Sequence, residues 1–164
     1  MWDFFLGSYN NTLKGGNLTA RRAVGLVWFF APLLIFVFSY LTSSDMGACV
    51  KFRPPAGTYS VVWIFLVLTL MASWLGVNRS AAKLDWIFCV IMYFLIIALS
   101  VLWLFMYKEN KLYGVPVFLA LLFVLFMTWQ IASTTNKYSG ALLWPLIIWA
   151  IFQLVVNSAE VMCD

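Results

Sequence analysis

Histidine is absent from all 164 residues. That excludes imidazole metal sites, histidine-based triads and histidine proton shuttles together. Charge is scarce as well. Ten Lys/Arg and six Asp/Glu make up only 10% of the chain, where a soluble domain carries about 25%. Hydrophobic residues are 65%, so too few polar groups remain to coat a water-facing surface. A soluble enzyme, a disordered chain and a nucleic-acid binder are thereby excluded. The net charge of +4 does not collect into a basic face. Cysteine occurs three times, at Cys49, Cys89 and Cys163, too few for a disulfide framework. What the chain does hold is 9 Trp, 7 Tyr and 15 Phe at a mean hydropathy of +0.96, the make-up of a polytopic membrane protein.

The charges fall in clusters, and between them lie runs long enough for a helix of about 20 residues to cross a bilayer. The runs predict five spans in a single domain over 1–164: Ala23–Thr42, Thr58–Val77, Trp86–Tyr107, Tyr113–Ser133 and Ala141–Met162. None contains Lys, Arg or Asp, and Glu160 falls in the last turn of the fifth, near the interface. Lipid offers no partner to backbone groups, so only helices or a closed barrel cross it. Continuous apolar runs without period-2 alternation select helices. The fold class is therefore all-α, a five-transmembrane-helix bundle. Spans two to five are joined by the short links 78–85, 108–112 and 134–140, which force antiparallel neighbours. The loop at 43–57 is longer and carries Gly47, Pro54, Pro55 and Gly57, the features of a lid or of slack.

Six Lys/Arg lie on the N-terminal side (Lys14, Arg21, Arg22, Arg79, Lys83, Lys137) and four on the other (Lys51, Arg53, Lys108, Lys111). The positive-inside rule then places the N-terminus inside. Sequons start at Asn10, Asn17 and Asn78, all on that inner face, where glycosylation does not occur. Cys49 and Cys163 fall on one side of the membrane. A disulfide between them is geometrically possible, but neither spacing nor compartment demands it, and free thiols are the expectation.

Aromatic residues at span ends, such as Trp28, Trp86, Tyr113, Tyr138 and Trp144, read as interface anchors. Those at mid-span form stripes. Trp149, Phe152, Gln153 and Asn157 recur at i, i+3, i+4 and i+8, within roughly 140° of a helix surface. Ser100, Trp103 and Tyr107 share a face of the third span, and Tyr59 and Trp63 one of the second. Spacing leaves two readings open. One is interhelical packing joined by hydrogen bonds. The other is an aromatic-walled pocket with a few polar anchors. An ion relay is disfavoured, because no ionisable Asp, Glu, Lys or Arg lies at mid-span.

Three of these stretches resemble one family. Phe52-Arg53-Pro54-Pro55, with Trp63 eight residues after the second proline, resembles the loop-to-second-helix signature of the TspO/MBR family, the translocator proteins, tryptophan-rich sensory proteins and peripheral-type benzodiazepine receptors. Leu99-Ser100-x-x-Trp103-x-x-x-Tyr107 is similar to its third-helix pattern, Leu-Asn-x-x-Trp. Leu142-Leu143-Trp144-Pro145-x-x-x-Trp149-x-x-Phe152-x-x-x-x-Asn157 resembles its fifth-helix pattern. The resemblance runs from Phe52 to Asn157. Phe52 stands where the family has Trp, Ser100 where it has Asn, and Leu119 where many members have Asp. After Asn157 come Ser158, Ala159 and Glu160, so the Tyr and Lys/Arg of the vertebrate cholesterol-recognition stretch are missing.

The resemblance implies a receptor or translocator for a hydrophobic planar ligand. Family members bind tetrapyrroles such as protoporphyrin, and some bind sterols. Trp63 and Trp149 would stack on the ring, with Phe52, Trp103, Tyr59 and Phe152 around it. Asn157, Gln153 and Ser100 would orient its polar groups. Pro54 and Pro55 would close the mouth with Gly57 as pivot. No cofactor is required, and no metal site is expected. The resemblance also implies a homodimer in a mitochondrial outer membrane or a bacterial membrane. Two other readings compete: a light-dependent porphyrin-degrading enzyme using Trp63 and Trp149, and a structural assembly protein with no ligand.

Overall fold

The computed structural model describes residues 18–34, 37, 49–81 and 83–163. Among them every regular element is a helix and no strand occurs. In chain order the helices are α1 (Leu18–Phe30), α2 (Ala56–Ser80), α3 (Lys83–Glu109), α4 (Lys111–Thr135), α5 (Lys137–Ala141) and α6 (Trp144–Val161). Four helical stretches are long and apolar enough to cross a membrane: Val61–Ser80, Asp85–Glu109, Lys111–Thr135 and Lys137–Val161, the last combining α5 and α6. Ala23–Leu34 is a shorter apolar helix. The fold is thus an all-α, multi-pass membrane bundle. Residues 35–36 and 38–42 of the first expected span, and 43–48 of the loop at 43–57, lie outside the described residues.

The links are tighter than the charge clusters suggested, because asparagines do their capping. Asn110 separates α3 from α4, and its side chain accepts from Leu112 N at 2.9 Å. Asn136 closes α4, with its N–H donating to Ala132 O at 2.8 Å. The same residue opens α5, its side chain accepting from Tyr138 N at 3.0 Å. Each satisfies backbone groups that a helix end leaves orphaned. The expected link at 134–140 is therefore helical apart from Asn136. Pro55 stands just before α2 and Pro145 in the first turn of α6, positions where proline's missing N–H costs nothing.

Helix α4 packs along α3 and α6, and α2 along α1, α5 and α6. The core runs through Leu66, Leu70, Trp74, Tyr93, Leu125, Leu143 and Ile147, all buried. Phe65, Phe88, Phe105, Phe123 and Ile148 point outward. An apolar exterior this extensive suits hydrocarbon rather than water. Leu119, at the family's acidic position, is among these outward residues. Gly76 faces Ser139 of α5, where a Cβ would collide with the hydroxyl, so this glycine serves packing inside the chain.

The bundle has two ends. The segment 49–55 enters α2 at one, where α3 and α6 also finish and α4 starts. This is the loop face. The turns at Ala81 and Asn136 mark the opposite, link face. On the loop face Cys49 is joined to Cys163 by a disulfide, with the Cα atoms 6.3 Å apart. This corrects the expectation of free thiols. The return of the loop toward α2 sets Cys49 beside the end of α6, so residues 114 apart in sequence become neighbours. Cys89 remains a free thiol buried in α3.

Candidate functional site

The two ends of the bundle treat their polar groups differently. Toward the link face nearly every buried group is paired. The Ser73 hydroxyl bonds the Tyr93 hydroxyl and donates to Ser139 O, at 2.7 Å for the latter. The Trp74 indole donates to Gly25 O at 3.0 Å, and the Trp86 indole to Asn78 Oδ1 at 2.7 Å. Asn136 Nδ2 donates to Ser80 Oγ at 3.4 Å. Asn78, the third sequon, is thus helical and engaged, whereas Asn10 and Asn17 lie outside the described residues.

Toward the loop face the pattern reverses. The Tyr59 hydroxyl, the indole N–H groups of Trp103 and Trp149, Gln153 Nε2 and both polar atoms of the Asn157 amide are buried without a hydrogen-bond partner. Gln153 and Arg53 lie near the Tyr59 hydroxyl, but the hydroxyl forms no hydrogen bond of regular geometry. A buried orphan costs about 1–3 kcal/mol, and native structures hold few of them. Here they gather on the facing stripes of α2, α3 and α6. The residues are almost wholly enclosed: Tyr59 is 1% exposed, Trp103 and Gln153 3%, and Asn157 2%.

Aromatic rings frame these groups. Tyr59 meets Trp149 edge-on, with centroids 5.6 Å apart, and the Arg53 guanidinium lies 5.9 Å from the Tyr59 ring centre. Trp149 also touches Phe152 at 5.3 Å. Trp103 contacts Phe118 at 4.8 Å and Tyr107 at 5.6 Å. The α4 wall is bare at Gly114. A Cβ there would fall 2.9 Å from Asn157 Nδ2 and 3.1 Å from Trp103 Nε1, so a glycine lets these two side chains approach the helix.

Glu160 continues the α6 stripe three residues beyond Asn157. It does not turn to the interface. It is 2% exposed, accepts a hydrogen bond from the Tyr107 hydroxyl, and pairs with Lys111 Nζ at 3.5 Å. A buried carboxylate needs such partners to stay charged.

Of the residues singled out by sequence, Tyr59, Trp103, Trp149, Phe152, Gln153 and Asn157 come together at this place. Ser100 lies one turn below Trp103, and its hydroxyl donates to Ile96 O of its own helix at 2.7 Å. Trp63 is half-buried against the apolar core one turn on from Tyr59, and Tyr59 is the ring that meets Trp149. Phe52 is 53% exposed. Pro54 is half-buried, Pro55 precedes α2, and Gly57 lies in the first turn of that helix. Sequence reasoning missed Arg53, Lys111, Gly114 and Glu160 as parts of this region. Glu160 carried a signal, since it shares the face of Gln153 and Asn157. Lys111 and Gly114 carried none within their own helix, and Arg53 stood only as part of the Phe52–Pro55 stretch. Among the described residues no group of three or more His, Cys, Asp or Glu is placed to hold a metal ion.

Among the described residues the fold is that of a multi-pass membrane bundle with an enclosed, aromatic-framed polar cluster at one end. The TspO/MBR family model matches residues 48–162, and the chain belongs to that family. Comparisons with curated proteins and with solved structures gave no match.

Proposed function

We propose that the protein binds a hydrophobic planar ligand, a tetrapyrrole such as protoporphyrin, between α2, α3, α4 and α6, and acts as its receptor or translocator. The carrying observation is the set of enclosed, partnerless polar groups inside an aromatic frame. A small-molecule site has this composition: apolar walls with a few convergent polar groups. The mapped cluster holds no histidine, so affinity comes from stacking and burial, and haem has no imidazole ligand there.

The test is a titration of purified protein with free-base protoporphyrin, read by quenching of the indoles. Trp149→Ala should weaken binding by about 1–3 kcal/mol, the range for removing one stacked aromatic side chain. Unchanged affinity in Trp149→Ala, or a haem complex with a defined axial-ligand spectrum, overturns the placement of the site. Cholesterol in the same assay probes the sterol alternative.

The protein is further proposed to form a homodimer through lipid-facing surfaces. Phe88, Ile91, Phe94, Leu102 and Phe105 make one outward stripe along α3 that supports this surface. Crosslinking in mild detergent should trap a dimer. A monomeric mass across detergents and lipids argues against it.

A further inference from the structure

Resting on that reading of the site, we propose that the Cys49–Cys163 disulfide is a redox latch. Closed, it holds the strap 49–55 over the Tyr59 end of the pocket; opened by a dithiol reductant, it lets ligand pass faster. The two sides of the bond are held unequally. Cys163 follows the last turn of α6, its N–H donating to Glu160 O at 3.1 Å, and the Glu160 side chain is fixed by Tyr107 and Lys111. Cys49 begins the strap, in which Val50 is the one buried side chain. Lys51, Phe52 and Pro55 are exposed, and a turn from Arg53 N to Val50 O at 3.1 Å folds the backbone. That turn brings the Arg53 guanidinium to 5.9 Å from the ring centre of Tyr59, the ring that meets Trp149. Where the bond pins the start of the strap therefore sets what its far end lays on the pocket.

Both cysteines are exposed, so a thiolate in solution can reach either sulfur. It attacks one sulfur, the S–S bond breaks, and the other sulfur leaves as a thiolate that takes up a proton. The second thiol of the reductant then displaces the first cysteine from the mixed disulfide. The protein gains two electrons and two protons, and the dithiol ends as a disulfide. Cys89 does not enter this exchange. It is buried near the start of α3, toward the link face, so no third thiol stands by to reshuffle the bond. Once the latch is open the strap has lost its covalent tie to α6. Segments with few buried apolar contacts open locally at low cost, and 49–55 is such a segment.

The experiment uses the full chain in detergent, oxidised or treated with dithiothreitol, and reads the strap and the ligand separately. Amide hydrogen exchange over 50–58 reports the strap without any ligand. Exchange there should quicken by about tenfold on reduction, the factor given by losing about 1.4 kcal/mol of strap docking. Stopped-flow quenching of the indoles by free-base protoporphyrin reports passage. Association and release should both speed up by about the same factor, so that their ratio, the affinity, changes less than either rate. The double variant Cys49→Ser/Cys163→Ser should show the fast rates with or without dithiothreitol. The comparison of the two wild-type states keeps the test intact if that variant fails to fold. Unchanged exchange over 50–58 on reduction overturns the latch. Faster exchange with unchanged quenching rates, or a fall in affinity with association unchanged, overturns the gate and leaves porphyrin binding standing. No quenching in either state overturns the pocket reading itself and the gate with it.

Discussion

Gly114 stands against Asn157 with no room for a side chain, a built Cβ lying 2.9 Å from the amide nitrogen. The contact ties the start of α4 to the polar stripe of α6. Gly114→Val should therefore push Asn157 and Trp103 out of place. Overpacking of this kind costs about 1–3 kcal/mol. Protoporphyrin affinity should drop while the helical signal persists. Full affinity in Gly114→Val would mean that Asn157 and Trp103 do not face the ligand.

The Lys111–Glu160 pair gives a second expectation. Glu160 is enclosed, whereas the Lys111 side chain is 33% exposed and can recover water. Lys111→Met leaves a buried carboxylate with one ionic partner fewer and should destabilise the bundle by about 1–3 kcal/mol. Glu160→Gln should cost less, because the lysine rehydrates. The double substitution should recover part of the loss. A thermal-melt cycle in detergent reads the coupling, and strict additivity would show that the pair contributes nothing.

At the link face, Ser73→Ala removes the partner of the Tyr93 hydroxyl, in a residue only 2% exposed. Stability should fall by about 1–3 kcal/mol, the cost of a buried orphan. Ligand affinity should stay unchanged, since this network lies at the opposite end from Trp149 and Asn157. A parallel loss of binding would join the two ends into one site.

How much of this could be read beforehand depended on whether a feature lay within one helix. The α6 stripe could be, because Trp149, Phe152, Gln153 and Asn157 share a face by arithmetic alone. The choice between Tyr59 and Trp63 could not. Both sit on one face of α2, and only the entry angle of that helix decides which ring reaches Trp149. Glu160 looked like an interface residue because its partners, Tyr107 and Lys111, belong to other helices. The bundle itself was legible, since lipid forces helices and the apolar runs mark them. The short links were misjudged in extent because Asn110 and Asn136 end one helix and begin the next with a single residue.

The disulfide carries a prediction on topology and thiol count. Under denaturing conditions without reductant, only Cys89 should take up an alkylating reagent, and all three cysteines should do so after reduction. Three alkylated thiols without reduction would refute the bond. Disulfides persist in oxidising compartments. The loop face is also the side with fewer Lys/Arg, so both lines predict that it lies outside. A membrane-impermeant maleimide should label a cysteine placed at Lys51 and spare one placed at Lys137. The reverse pattern would invert the orientation.

The Cys49–Cys163 bond also changes what kind of object the chain is. Between those residues the backbone becomes a macrocycle enclosing α2 to α6, with α1 attached outside it. A protease that cuts the turn at Asn110 or Asn136 opens the ring without releasing a piece. The nicked molecule stays one body of unchanged mass, apart from the added water, until a reductant separates the fragments.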